Sequence, residues 1–182
     1  MLTMKSAHAC PSGLDITLSN GCSMILCLDR WLEEPCHSEL KQYFDHSSSP
    51  KSRTDRIVWE NGAELGLAEV LEIITDGASI DRVNTGDSDV LIVDLCGGHT
   101  IMLEFSMLLR QEKYAVLAQD DRIYYPHPLR DRLVWKDGTE LTVDEILTLL
   151  MADVAEKHIM PDGGARTNYL KAEERTLEEE LR

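Results

Sequence analysis

Long apolar segments are missing from this 182-residue sequence. Its longest apolar runs, such as residues 24–28, and shorter ones such as 90–93, have the length of a β-strand, which is too short for a membrane-spanning helix. Residues 1–13 carry one lysine and no apolar run of the length found in a signal peptide. These absences predict a soluble, cytoplasmic protein that does not contact a membrane.

Basic and aromatic residues are also scarce. The chain has 18 Lys and Arg against 33 Asp and Glu, a net charge of −15, and only 5% aromatic residues. Residues 10–80 (12 acids, 5 bases) and 81–157 (15 acids, 8 bases) each carry −7, so the charge is not confined to a tail. Such a field repels nucleic acid and attracts basic protein surfaces, although solubility alone is the simpler explanation. We therefore expect no direct binding to nucleic acid.

The cysteines form no recognisable site. There are five of them, an odd number without the regular spacing of a disulfide framework: Cys10, Cys22, Cys27, Cys36 and Cys96. No C-x-x-C pair supports a metal site, even with His37 nearby. Cys96 and His99 flank two glycines, but turn geometry explains those glycines, and no orienting acid accompanies the thiol. The sequence therefore predicts no catalytic, cofactor-binding or metal-binding residue.

An internal repeat is the strongest positive feature of the sequence. Residues 55–65 (DRIVWENGAEL) and 131–141 (DRLVWKDGTEL) are identical at seven of eleven positions. A second match upstream, between residues 16–26 and 93–103, has an offset of 77 rather than 76. The repeat predicts two copies of one unit at residues 10–80 and 86–156, followed by a linker and charged helix at 157–182.

Each unit has the pattern of two hairpins and a helix. Apolar residues alternate on both sides of a glycine, which predicts three-residue turns with the glycine in the left-handed region. The helix of the second unit begins at a capping box, Thr142 with Glu145. We therefore predict an α+β fold with two antiparallel β-hairpins and a helix in each repeat, and a C-terminal helix. The turn glycines are Gly21, Gly62, Gly98 and Gly138.

The tryptophans occupy the same place in both units. Core packing is the simpler explanation for them. Alternatively, because Val58 and Val134 point away from the tryptophans, the second face of each sheet could pack the repeats together as a pseudo-twofold pair or meet a partner. The repeated signature consists of Trp59, Asn61, Gly62, Trp135, Asp137 and Gly138.

The connections within the two units differ most. Residues 45–53 are predicted to be a mobile loop, whereas their counterpart, 124–128, is aromatic and stiffened by proline. Variable loops on a repeated scaffold are candidate positions for binding specificity, or simply tolerate sequence drift.

The pattern Trp-x-Asn/Asp-Gly-x-x-Leu, followed by a helix opening with x-x-Glu-x-Leu, resembles a small bacterial domain of unknown function, family 2442. Residues 14–74 and 91–150 share its layout, including a Ser-Glu-Leu-x-x-x-Phe stretch at 38–44. The resemblance implies a protein-binding, antitoxin-like role and carries no catalytic residues. In size, acidity and lack of chemistry the chain is also similar to acidic anti-CRISPR proteins of phages.

These observations favour a non-enzymatic acidic binding protein. It would neutralise a protein partner with a basic, nucleic-acid-binding surface, such as a defence nuclease or a toxin. Two alternatives stay open at this point, namely a structural adaptor and an enzyme that uses the Cys and His residues.

Overall fold

The computed structural model describes residues 1–10, 13–33, 50–60, 62–85 and 89–152. Within these ranges the chain has the predicted α+β class, with antiparallel sheets and short helices. The C-terminal helix predicted at 157–182 and the Ser-Glu-Leu stretch at 38–44 lie outside the described residues.

The described elements follow a similar order in both halves of the chain. The first half contains β1 (Met4–Cys10), β2 (Gly13–Leu18), β3 (Ser23–Leu26), α1 (Asp29–Glu33), β4 (Lys51–Ser52), β5 (Arg56–Val58), β6 (Glu64–Gly66) and α2 (Leu67–Thr75). The second half contains β7 (Ile80–Asn84), β8 (Val90–Leu95), β9 (Thr100–Glu104), α3 (Phe105–Leu109), a 3₁₀ segment (Glu112–Tyr124), β10 (His127–Pro128), β11 (Arg132–Val134), β12 (Glu140–Thr142) and α4 (Val143–Met151).

A six-stranded antiparallel sheet forms the centre of the fold, in the order β1-β2-β3-β9-β8-β7. Two three-stranded sheets, β4-β5-β6 and β10-β11-β12, accompany it. The helix α2 contacts β3, and α4 contacts β9. The two halves of the chain therefore meet edge to edge in one sheet.

The pairing of β3 with β9, which we call the central seam, is reinforced by one buried polar side chain. The seam pairs Ser23 with Met102 and Ile25 with Thr100. Buried Asn20 donates through Nδ2 to the carbonyl oxygens of Leu150 (2.9 Å) and Ala152 (3.0 Å) at the end of α4. Its Oδ1 accepts from the Cys22 amide at 3.0 Å. Both donor bonds of this buried amide therefore go to the other half of the chain, whereas its acceptor bond is local.

The four predicted turns are confirmed in detail. In each, the amide of the residue before the three-residue loop donates to the carbonyl oxygen of the residue after it: Leu18 to Cys22, Trp59 to Ala63, Leu95 to His99, and Trp135 to Thr139. Gly21, Gly62, Gly98 and Gly138 have φ between 86° and 93°. An odd loop length keeps the same face of both flanking strands turned inward.

Burial follows the predicted alternation. In the first hairpin of each half every predicted inward residue is buried: Ile16, Leu18, Met24, Leu26, Leu28, Val93, Leu95, Ile101, Leu103 and Phe105. The helix stripe is buried as well at Val143, Ile146, Leu147 and Leu150.

The helix starts also follow the sequence. The Thr142 hydroxyl accepts from the Glu145 amide at 3.2 Å, and the Glu145 carboxylate accepts from the Thr142 amide at 2.9 Å. This reciprocal pair is the predicted capping box. At the start of α2, where Gly66 has no side chain, the Glu69 carboxylate still accepts from the Gly66 amide at 2.7 Å.

The structure corrects the hairpin prediction in one respect, because each hairpin has a third strand. β1 and β7 extend the first hairpins, and β4 and β10 extend the second ones. Lys51 and Ser52 form β4, so this part of the predicted mobile loop at 45–53 is a strand. Likewise, His127 and Pro128 of the predicted stiff connection form β10.

Candidate functional site

The tryptophan signature has a structural role in this fold. Trp59 and Trp135 are 3% and 2% exposed. The Asp137 side chain accepts from the Thr139 amide at 2.9 Å, which lowers the pKa of Asp137 and fixes the turn around Gly138. Asn61 lies outside the described residues. Within the described residues, the signature therefore shapes the core and the turns.

Trp135 also connects two elements of the second half. Its indole Nε1 donates to the Ile123 carbonyl oxygen at 3.3 Å, in a buried position. Trp135 follows β11, whereas Ile123 belongs to the 3₁₀ segment, which has no regular amphipathic pattern of its own. Because a buried indole N–H needs an acceptor, this bond fixes the 3₁₀ segment against the three-stranded sheet.

The thiols and the imidazole do not assemble into a reactive site in the described part of the chain. Burial raises the pKa of the Cys22 thiol to about 11, which opposes formation of the thiolate. His99 is buried, and its Nδ1 accepts from the Cys27 amide at 3.1 Å. Cys96 is exposed on the turn. Among the described residues, no group of three His, Cys, Asp or Glu side chains is arranged to hold a metal ion.

His99 should make the protein less stable in mild acid. Burial lowers the pKa of His99 in the folded protein below its ordinary value of 6.5. Between the lowered pKa and pH 6.5, only the unfolded chain takes up a proton at this side chain. The free energy of unfolding should therefore be constant above pH 6.5 with respect to this group and decrease as the pH falls below 6.5. Urea denaturation between pH 7.5 and pH 5 measures this change in the free energy of unfolding. The range stays above about pH 4, where carboxylates titrate. The His99→Gln variant should show a shallower slope, and an unchanged slope would contradict this role.

A cavity of about 620 Å³ opens in the second half, between the β8–β9 pair, α3 and the 3₁₀ segment. Its apolar lining comes from Val90, Phe105, Leu109 and Ile123. Three exposed carboxylates, Asp89, Glu104 and Asp121, line the same cavity. We call this cavity the acidic cleft. None of the described residues that line it is basic.

Local structure fixes the carboxylates of the acidic cleft. Asp89 precedes β8, and its carbonyl accepts from the Phe105 amide at 2.8 Å, next to Glu104 at the end of β9. Asp121 has φ 53°, a left-handed conformation that no other described non-glycine residue adopts. The three acids come from separate elements, and the fold brings them to one cavity.

An aromatic pair lies on one side of the acidic cleft. The rings of Phe105 and Tyr124 pack edge to face with centroids 5.1 Å apart. The Tyr124 hydroxyl donates to Asp89 Oδ1 at 2.9 Å, and this bond to a carboxylate raises the pKa of Tyr124. The Ser106 hydroxyl donates to Glu104 Oε2 at 3.2 Å. Both hydroxyls are neutral, so these hydrogen bonds do not cancel the negative charge of Asp89 and Glu104.

The carboxylates of the acidic cleft differ from the acids around the repeated arginines. Arg56 bridges Asp55 (2.9 Å) and Glu64 (2.7 Å). The equivalent Arg132 bridges Asp131 (2.6 Å) and Glu140 (2.8 Å), and the hydrogen bonds from both arginines lower the pKa values of Asp55 and Asp131. There the opposite charges neutralise one another locally.

The comparisons with known proteins leave the family open. A scan against protein-family models finds no match, and searches of curated proteins and of solved structures find no significant match either. The resemblance to family 2442 and to acidic phage inhibitors therefore stays a prediction. None of the helices in the described ranges combines the length and apolarity needed to cross a bilayer.

Proposed function

We propose that this chain is a non-enzymatic acidic binding protein that neutralises a protein partner by covering a basic, nucleic-acid-binding surface. The observation that carries the proposal is the acidic cleft, which three carboxylates line without a basic residue among the described lining. The net charge of −15 adds a long-range attraction to a basic partner. A nuclease or a toxin of the cytoplasm fits this description.

We further propose that the chain consists of two repeats of one unit. Equivalent backbone hydrogen bonds support this: Met4 to Thr54 (3.0 Å) corresponds to Ile80 to Arg130 (2.7 Å), and Leu67 to Asp55 (2.8 Å) corresponds to Val143 to Asp131 (3.0 Å). An irregularity in register also falls at the same place in β1 and β7, between Met4 and Ser6 and between Ile80 and Arg82. The units then run from about the start of β1 to the end of α2, and from about the start of β7 to the end of α4.

The duplication matters for function because the described lining of the acidic cleft comes entirely from the second unit. The counterparts of Asp89 and Glu104 in the first unit, at offset 77, are Ser12 and Cys27. Neither of these residues carries a carboxylate. We therefore assign partner recognition to the second unit, and to the first unit the role of completing the central sheet.

The proposal predicts binding that depends strongly on salt. With the tagged chain as bait in a lysate of its host, a captured basic protein should be retained at 0.01 M salt and released as ionic strength rises. The reason is that the Debye length falls from about 30 Å at 0.01 M to about 8 Å at 0.15 M. DNA or RNA should compete with the chain for the captured protein, which is then identified by mass spectrometry.

Inhibition is the decisive measurement on the identified partner. A stoichiometric amount of the chain should displace a labelled oligonucleotide from it, whereas the chain alone should bind that oligonucleotide weakly or not at all. If capture does not depend on salt and nucleic acid does not compete, the negative charge of the chain contributes to solubility and not to partner binding. Tight nucleic-acid binding by the chain alone would contradict the proposed function directly.

A further inference from the structure

We propose that the acidic cleft is the receptor for a single arginine side chain of the basic partner. This inference deepens the proposed function and rests on it. Its starting point is the shape of the site, because a cavity of about 620 Å³ falls within the range of about 300–1,000 Å³ typical of ligand pockets. A flat acidic surface needs no such cavity to attract a basic protein.

The lining of the acidic cleft matches the two parts of an arginine side chain. The apolar residues Val90, Leu109 and Ile123 can cover an aliphatic stem, which basic side chains bury while their charged end stays polar. The carboxylates of Asp89, Glu104 and Asp121 supply acceptors for the charged end. An uncharged apolar ligand would leave these carboxylates without compensation, and an anion would be repelled.

The aromatic side of the acidic cleft favours arginine over lysine. A guanidinium is planar, binds carboxylates in bidentate geometry and stacks on aromatic rings, whereas an ammonium is compact and strongly hydrated. Tyr124 lines the acidic cleft, and its hydroxyl is already bonded to Asp89. Because that hydrogen bond and the contact with Phe105 restrain the tyrosine ring, it offers a surface positioned before the ligand arrives.

The test uses the full chain and three peptides of equal length. They are acetyl-Gly-Arg-Gly-amide, the same peptide with lysine, and the same peptide with citrulline, the uncharged isostere of arginine. In a ¹H–¹⁵N NMR titration, the arginine peptide should give saturable shifts at the amides of Asp89, Phe105 and Tyr124. The lysine peptide should bind about tenfold more weakly, since bidentate hydrogen bonding and stacking are lost. The citrulline peptide should give no saturable shifts.

Charge-matched variants separate the acidic cleft from the general negative field. Glu104→Gln and Asp89→Asn should each lower the affinity for the arginine peptide about tenfold, as expected for loss of a charge-assisted hydrogen bond. Glu72→Gln removes the same charge from an exposed position on α2 and should leave the affinity unchanged. Shifts scattered over the whole surface, equal binding of lysine, or an equal effect of Glu72→Gln would overturn the proposal.

The two proposals fail in different ways. If Glu104→Gln captures the basic partner with the affinity of the wild type, the arginine site is wrong and the proposed function stands. If the arginine peptide binds in the acidic cleft but no basic partner is inhibited, the proposed function is wrong and the site stands.

Discussion

Replacing Gly13 with alanine is expected to destabilise the protein by at least about 3 kcal/mol, from backbone strain and overpacking together. Gly13 has φ +141°, and a Cβ atom at this position would lie 2.0 Å from the Leu26 carbonyl oxygen and 3.1 Å from Cys27 Cα. These are backbone atoms, which cannot rotate away as a side chain can. β2 would have to move from β3, disturbing the central sheet where Leu14 pairs with Leu26.

Urea denaturation of the Gly13→Ala protein measures this effect, and Gly62→Ala is the matched control. Gly62 has φ +88°, but a Cβ atom added there meets nothing within 4 Å. The control therefore reports the conformational cost alone, about 1–2 kcal/mol. Equal losses for both variants would show that the close approach of β2 to β3 is not the reason for the glycine.

Truncating Trp135 to alanine should cost about 3–5 kcal/mol, the usual range for a buried tryptophan. The side chain is 2% exposed, so its removal leaves a cavity in the core. It also removes the hydrogen bond to Ile123, a residue that lines the acidic cleft. We therefore expect Trp135→Ala to lower both the stability of the protein and the affinity for the arginine peptide.

Two further variants separate these effects of Trp135. Trp135→Phe keeps an aromatic ring but removes the indole donor, so it should lose less stability than Trp135→Ala. Trp59→Ala empties the equivalent position of the first half and should reduce stability to a similar extent. At temperatures where this variant is folded, it should bind the arginine peptide with the affinity of the wild type. If Trp59→Ala weakens peptide binding as much as Trp135→Ala does, the link through Ile123 is not the cause.

The local features of the fold could be predicted because they depend on neighbouring residues. A glycine at the third position of each loop determines the turn, and the odd loop length then determines which residues face inward. The capping box at Thr142 is likewise contained within four residues. These interactions need no information about distant parts of the chain.

The third strands and the central seam could not be predicted in the same way. In β1 and β7 the sequence alternates poorly, and polar residues such as Lys5, Asp81 and Arg82 are exposed on these outer strands of the central sheet. The pairing of β3 with β9 is a long-range tertiary interaction. It could not be predicted because the alternating apolar pattern of either strand is compatible with many partner strands. The sequence suggested face-to-face packing of the repeats as one alternative, but it gave no sign that β3 and β9 pair edge to edge.

The acidic cleft was also beyond sequence reasoning. Asp89, Glu104 and Asp121 are spread over more than thirty residues, and each one resembles an ordinary surface acid. The net charge and the resemblance to acidic binding proteins pointed towards a basic partner, but neither indicated this position. The unusual backbone of Asp121 has no signal in the sequence, because aspartate is common in turns of every kind.

The central seam has a consequence for the order in which the protein folds. Within the central sheet, all other pairings join consecutive strands, whereas Ser23 and Met102 are 79 residues apart. Each half can form its own meander quickly, but closing the seam requires a long-range encounter, which slows folding more than it lowers stability. Until then β3 and β9 are open edges, and at high concentration each can pair with the other strand of a second molecule. Refolding of concentrated protein therefore favours a domain-swapped dimer, whose two sheets have the same strand order as the monomer.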